Sequence, residues 1–362
     1  MNTAFDLNLI LDSFDFDGHF DGFSVKNDGH INSTFVLAFG NSDGIKKYTL
    51  QRINTFVFKK PDELMKNIVG VTKFIKSRGN MKTLNFLRAK NGEYFVTDKN
   101  GECWRVYEFV DGVYTCNTID NSKVFYNAGK AFGRFQNELA DYPAEKLFET
   151  IPNFHNTYSR FLDFKASVQN DTANRADSVK NEIEFVLSRE NDTKLLLGMV
   201  EKNELPLRVT HNDTKLNNVL FDNNTNEGVC IIDLDTVMPG LSLYDFGDSI
   251  RFGANTAKED EKDLSKVSLS LDLYKAYTEG YLSACDSLTE NEIAYLPFSA
   301  KLMTLECGMR FLTDYLNGDT YFKTDYKEHN LVRARDQFKL VEDIETKLDD
   351  MKKITAEACE RK

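Results

Sequence analysis

The segment 207–237, LRVTHNDTKLNNVLFDNNTNEGVCIIDLDTV, decides how the chain is read. Leu207–Thr210, Val219–Phe221 and Val229–Leu234 are apolar runs too short for helices, and the last two bracket the polar turn DNNTNEG. The spacing therefore predicts three buried strands, the second and third forming a hairpin. A polar loop, HNDTKLNN (211–218), joins the first strand to the second, and Asp233 ends the last apolar run. Asp213, Asn218 and Asp233 thus stand at neighbouring strand ends.

On both sides of this β element the texture is helical. Ala128, Phe132, Phe135 and Leu139 fall on one helical stripe, as do Phe154, Tyr158, Phe161 and Leu162, and again Val179, Ile183, Val186 and Leu187. Helical periodicity returns at about 262–284, 290–316 and 329–353. The first 110 residues read differently. After a short amphipathic helix carrying Leu7, Ile10, Leu11 and Phe14, the β-rich runs HINSTFVLAFG and KKYTLQRIN flank the turn Asn41-Ser42-Asp43-Gly44. A helix is expected over 61–78, opened by Pro61-Asp62-Glu63, and further strands near Leu84–Arg88, Glu93–Thr97 and Trp104–Phe109. The reading is an α+β fold of two lobes, a five-stranded antiparallel lobe over 1–110 and a mainly helical lobe over 111–362. A ligand cleft is expected between them.

Composition narrows the partners. A net charge of −12 argues against nucleic acid or an anionic membrane surface, which need a basic face to displace counterions. The six cysteines form no CxxC pair and read as reduced thiols, and no basic leader or long apolar run is present. A cytoplasmic protein is expected.

The chemistry is set by the loop. Phosphoryl transfer needs a carboxylate to orient the attacking hydroxyl and take its proton, and an amide oxygen and a second carboxylate for magnesium. Asp213 supplies the first, Asn218 and Asp233 the others, in the kinase order HxDxxxxN followed by a metal-binding Asp. His211 reads as a brace of the loop backbone, and Asp245 and Asp248 in LYDFGDS as groups supporting it. For the nucleotide, ATP, the first hairpin offers Gly29, Asn32, Ser33 and Thr34 to close over phosphates. The next strand offers Arg52, or Gln51 on its other face, as the phosphate partner. The backbone of Glu108 and Val110, where the lobes join, is expected to hold adenine. A competing reading takes Asp233-Leu234-Asp235-Thr236 as the DxD nucleophile motif of haloacid-dehalogenase-like phosphatases, which requires an alternating β/α core.

Taken together, THNDTKLNN, IIDLDTVMPG, YDFGDSIRFG and the stretch LQRIN to KKPDELMKNI resemble the N-acetylhexosamine 1-kinases of the aminoglycoside phosphotransferase-like superfamily, from about Val25 to Phe322. The Asp-Leu-Asp in place of Asp-Phe-Gly is the variant that the aminoglycoside and choline kinase relatives carry. The resemblance implies a protein-kinase-like fold and ATP-dependent phosphorylation of the anomeric hydroxyl of N-acetylglucosamine or N-acetylgalactosamine. It implies Asp213 as base, Asn218 and Asp233 as magnesium ligands, and His30, Asp213, Asp233, Phe252, Arg310 and Tyr321 as sugar contacts. Alternatives are a kinase of an aminoglycoside or choline type of alcohol, and a catalytically silent nucleotide-binding protein. An ion pair between Arg310 and Glu306, one helical turn apart, is the plain structural reading of that arginine.

Overall fold

A computed structural model describes residues 5–26, 32–119 and 121–361. The amphipathic start folds as α1 (Leu7–Ser13), capped by the Asp6 carboxylate, which accepts from the Leu9 N–H. It lies against a five-stranded antiparallel sheet built from β1 (His19–Lys26), β2 (Ser33–Asn41), β3 (Gly44–Ile53), β4 (Val96–Thr97) and β5 (Cys103–Glu108), in the order β1-β2-β3-β5-β4. The turn Asn41–Gly44 joins β2 to β3 as expected.

Five strands are present, although not the five expected. Segment 84–88 makes only one bridge, Phe86 to Tyr107, flanked by hydrogen bonds from Leu87 N–H to the Val106 carbonyl and from Glu108 N–H to the Asn85 carbonyl. It shares one edge of β5 with β4, so neither has room to be long. The fifth place goes to β1, which the sequence reading left without a strand of its own.

Strand alternation divides the sheet into two faces. Phe35, Leu37, Tyr48, Leu50, Trp104 and Val106 bury one face against Phe5, Ile10 and Phe14. Thr34, Thr49, Gln51 and Tyr107 look the other way, into a cleft. The helix α2 (Pro61–Arg78) begins with Pro and two acids and ends on Gly79 at φ 76°, a left-handed cap that glycine adopts without strain. Its Leu64, Ile68, Val71 and Ile75 are buried in the same apolar cluster as Phe132, Phe135 and Phe246 from further along the chain.

The rest is mainly helical: α3 (Ser122–Glu138), α4 (Thr157–Asn170), α5 (Lys180–Leu187), α6 (Glu190–Glu201), α7 (Ser242–Gly253), α8 (Leu271–Ala284), α9 (Glu290–Leu316) and α10 (His329–Glu360). Short strands interrupt it. These are β6 (Val113–Tyr114), β7 (Arg208–Thr210), β8 (Val219–Asp222), β9 (Gly228–Ile231) and β10 (Met238–Gly240), with β10 antiparallel to β7 and β8 antiparallel to both β6 and β9. The helix expected from about 262 starts at Leu271 instead, because Asn255 and Leu269 pair as an isolated bridge and the Ser270 hydroxyl caps α8. Among the described residues no helix is long and apolar enough to cross a membrane.

Helices α3 and α8 pack backbone against backbone, and glycine makes this possible. A Cβ on Gly129 or Gly133 would run into the carbonyls of Tyr277 or Tyr281, and one on Gly280 into the Tyr126 carbonyl. Backbone cannot step aside as a flexible side chain can. Gly133→Ala is expected to destabilise the protein by about 1–3 kcal/mol, and Gly198→Ala, with open space around it, to have no such cost. Urea denaturation of the two variants checks this.

Candidate active site

The loop after β7 is held from below by α7. The two oxygens of Asp245 accept the N–H groups of His211 and Asn212 at 2.9 and 2.7 Å, and Asp248 accepts that of Thr214 at 3.1 Å. Thr214 donates its hydroxyl to the Asp245 carbonyl at 2.5 Å, and Ser249 donates to the Thr214 carbonyl at 2.9 Å. Burial pushes the Asp245 carboxyl up to about 6, opposed by these donated hydrogens and by His211. Every turn of the loop is therefore tied to one helix. Asn212 sits at φ 64° with its side-chain amide on the Thr236 carbonyl, which links the loop to the segment after Asp233.

His211 braces rather than reacts. Its Nε2 lies 2.9 Å from the Ile232 carbonyl, and its Nδ1 accepts the Asp213 N–H at 3.2 Å, so the ring is committed on both sides. His155 does similar work from α4's approach. Its Nδ1 lies 2.7 Å from Glu306 and its Nε2 3.0 Å from the Asn212 carbonyl. Both partners are acceptors, so both ring nitrogens carry hydrogen. Burial works against that charge, yet Glu306 raises the His155 pKa above its ordinary value. Glu306 also accepts from Thr157 at 2.6 Å. Glu306 thus pairs with His155, and the Glu306–Arg310 ion pair, the plain structural reading of Arg310, does not form.

Asp213, Asn218 and Asp233 line one cleft of about 380 Å³, together with Asn32, Thr34, Gln51, Tyr107, Val110 and Lys215. The Asn218 amide donates to the Asp213 carbonyl at 2.8 Å and to its carboxylate at 3.3 Å, which leaves the amide oxygen of Asn218 for another ligand. Lys215, which sequence reading passed over, stands 2.8 Å from the other Asp213 oxygen. Burial lowers its pKa, but the Asp213 and Asp248 carboxylates raise it above the usual lysine range. Asp233 sits at φ 58°, in the left-handed region. Burial first, then the carboxylates of Asp235 and Asp213, push it up to about 6. A carboxylate so placed favours a cation nearby.

One amide oxygen and one carboxylate facing a polar cleft are hard donors of the kind magnesium shares with phosphates and water. Among the described residues no cluster of three or more His, Cys, Asp or Glu is arranged to hold a metal by itself.

Other sequence assignments fare differently. Arg52 does not face the cleft: it shares the outer side of the sheet with Ser33, donating to the Ser33 hydroxyl at 3.1 Å and standing 3.6 Å from Glu102. Gln51 takes the cleft side, since neighbours on a strand point oppositely. The N–H of Glu108 is already donated to Asn85, so only its carbonyl is left for an adenine, alongside the backbone of Val110. Phe252 packs on the large apolar cluster, Arg310 lies over the rings of Phe154 and Phe322 at 5.8 and 5.5 Å, and Tyr321 is exposed; none of the three lines this cleft. Gly29 and His30 lie outside the described residues. The phosphatase reading of Asp233 fails on topology, because β8 and β9 are an antiparallel hairpin and among the described residues no alternating β/α core surrounds them.

Comparison with known proteins gives a family and a fold. The model of the phosphotransferase enzyme family matches residues 28–275. Among solved structures, a spectinomycin phosphotransferase in complex with ADP and spectinomycin is similar with a TM-score of 0.60 at 13% identity, covering 95% of this chain and 97% of that one. A microcompartment-associated aminopropanol kinase gives 0.56 at 15%, covering 91% and 93%. The ethanolamine kinase of Plasmodium vivax gives 0.55 at 16%, covering 86% and 80%. At these identities the likeness is one of fold.

His155 supplies a pH test. Its folded pKa is raised, so the stability it contributes is complete below about 6.5 and is lost as pH climbs through the raised value. His155→Gln strands the buried Glu306 charge and is expected to cost about 3–5 kcal/mol at pH 6. The gap from wild type should narrow at pH 9.5 in denaturant melts.

Proposed function

Since the chain belongs to the phosphotransferase enzyme family, whose model covers 28–275, we propose that it is an ATP-dependent kinase of the anomeric hydroxyl of N-acetylglucosamine or N-acetylgalactosamine. The observation that carries the kinase reading is the convergence of Asp213, Asn218 and Asp233 on one cleft beneath the sheet. In this reading residues 1–110 form the nucleotide lobe and 111–362 the catalytic and substrate lobe. Adenine docks between Leu84 and Leu220, which line the cleft from opposite sides of that boundary; its amino group donates to the Glu108 carbonyl and a ring nitrogen accepts from the Val110 N–H.

The sugar assignment rests on the strings THNDTKLNN, IIDLDTVMPG and YDFGDSIRFG, and on what lies beyond the loop. Arg310 makes no ion pair with Glu306, although its charge still acts on that carboxylate, and rests on Phe154 and Phe322. Tyr321 follows on a turn whose N–H groups at Thr320, Tyr321 and Phe322 all donate to Asp314. A guanidinium between aromatic faces offers what an N-acetyl carbonyl and a sugar ring need, hydrogen-bond donors and stacking surface.

Asp213 does the proton chemistry. Its carboxylate orients the C1 hydroxyl in line with the γ-phosphorus and accepts the proton as the new P–O bond forms and the bond to the ADP oxygen breaks. Lys215 and the Asn218 amide hold that carboxylate in place, and Lys215 gives the transferring group positive charge. Magnesium, when bound, would be held by Asn218 and Asp233 and would neutralise phosphate charge. The protein's own share is position and field, since no covalent intermediate is required.

Two measurements test the reading. Asp213→Asn should lower turnover about 10²–10⁴-fold while ADP still binds. Near-normal turnover would remove Asp213 from the role. ADP release should appear with N-acetylglucosamine or N-acetylgalactosamine in a panel that also holds choline, ethanolamine and an aminoglycoside. Activity confined to an amino alcohol or aminoglycoside would replace the sugar with that acceptor and leave the kinase intact.

A further inference from the structure

A nucleotide's phosphate chain needs positive charge on the sheet side of the cleft, and β3 does not provide it. In protein kinases a lysine of the third strand fills that place, paired with a glutamate of the neighbouring helix. Here the cleft-facing residues of β3 are the uncharged Thr49 and Gln51, and among the described residues lining the cleft the only lysine or arginine is Lys215, on the opposite wall and already beside Asp213.

The charge sits one strand over. Arg105 lies directly opposite Gln51 in the β3–β5 register and is completely buried, with 2% of its side chain exposed. Its Nε and Nη2 donate to the Gln51 amide oxygen at 3.1 and 2.8 Å. Its Nη1 reaches the Met65 sulfur of α2 at 3.8 Å and donates to Asp235 at 2.5 Å. Asp235 also accepts from the Asn32 amide, another cleft-lining residue of the sheet side. The other end of Gln51 donates to the Thr34 hydroxyl at 3.2 Å, so Arg105, Gln51 and Thr34 form a chain running out to the cleft surface.

We propose that Arg105 is the cation backing the phosphate side of the cleft, that Gln51 and Thr34 are the surface it polarises, and that Asp235 is its counter-ion and not a metal ligand. Arg105 is thereby a positioning residue, not one that touches the reacting atoms. Asp235, two residues past Asp233, couples this cation to the metal-facing carboxylate and ties the sheet to the helical part. A buried guanidinium keeps its charge where a lysine would shed it, which explains why the swap of strand goes with a swap to arginine. The inference rests on the nucleotide reading of the cleft and is independent of the sugar.

The test compares affinities for ADP and adenosine by calorimetry, in EDTA so that no divalent ion contributes. Wild type should prefer ADP; if it binds neither in EDTA nor with magnesium restored, the nucleotide reading falls and this inference with it. Arg105→Met with Asp235→Asn removes both members of the pair and leaves no charge stranded. It should weaken ADP about tenfold or more and adenosine less than threefold. Arg105→Lys, whose ammonium sheds its charge more readily when buried and cannot reproduce the fork to Gln51 and Asp235, should lose much of the preference for ADP, which guards the test if the double variant does not fold. Equal loss of both ligands, or unchanged ADP affinity in a folded double variant, overturns the inference while the nucleotide reading stands. So does a loss of the ADP preference in Arg52→Gln with none in the Arg105 variants.

Discussion

Like charge crowded into low dielectric is the constraint on which the rest of this molecule depends. Asp213, Asp233 and Asp235 come together beneath the sheet, and burial with mutual repulsion drives the Asp233 carboxyl up to about 6. Bare carboxylates there would be costly. Each is answered differently: Asp213 by Lys215 and the Asn218 amide, Asp235 by Arg105 and Asn32, and Asp233 by no ion pair among the described residues. Asp213 and Asp233 both line the cleft, and of the two only Asp233 has no cation paired with it among the described residues, which suits a site that takes one up.

The surrounding architecture exists to hold those groups still. Asp245 and Asp248 on α7 satisfy the loop's backbone donors, His155 takes the Asn212 carbonyl, and His211 spans from Asp213 to Ile232. Buried polar networks of this kind specify one geometry because any member left unpaired is penalised heavily. Three glycines let α3 and α8 meet backbone to backbone beneath them, so the platform itself has little room to shift.

Much of this was legible in the chain and some was not. The strands around 207–234 and the stripes of the helical part were readable because hydrophobic periodicity is local. Asp213, Asn218 and Asp233 were readable for a related reason: a five-residue loop spacing and a strand ending in Asp keep them near one another whatever the rest does. Arg52 and Ser33 misled, since alternation separates two faces of a strand without saying which one borders the cleft. Segment 84–88 misled too, since a run with strand propensity still needs a free edge, and β4 shares the one it faces.

From its residues alone the chain determined most of the elements and the spacing of the polar loop 211–218, because each of those is set by neighbours within a few positions. Only the tertiary structure decided how the charges pair. Arg105 and Asp235 are 130 positions apart, and His155 and Glu306 are 151 apart. Coulomb attraction acts through distance in space, and the folded chain alone converts such separations into contacts of a few ångströms.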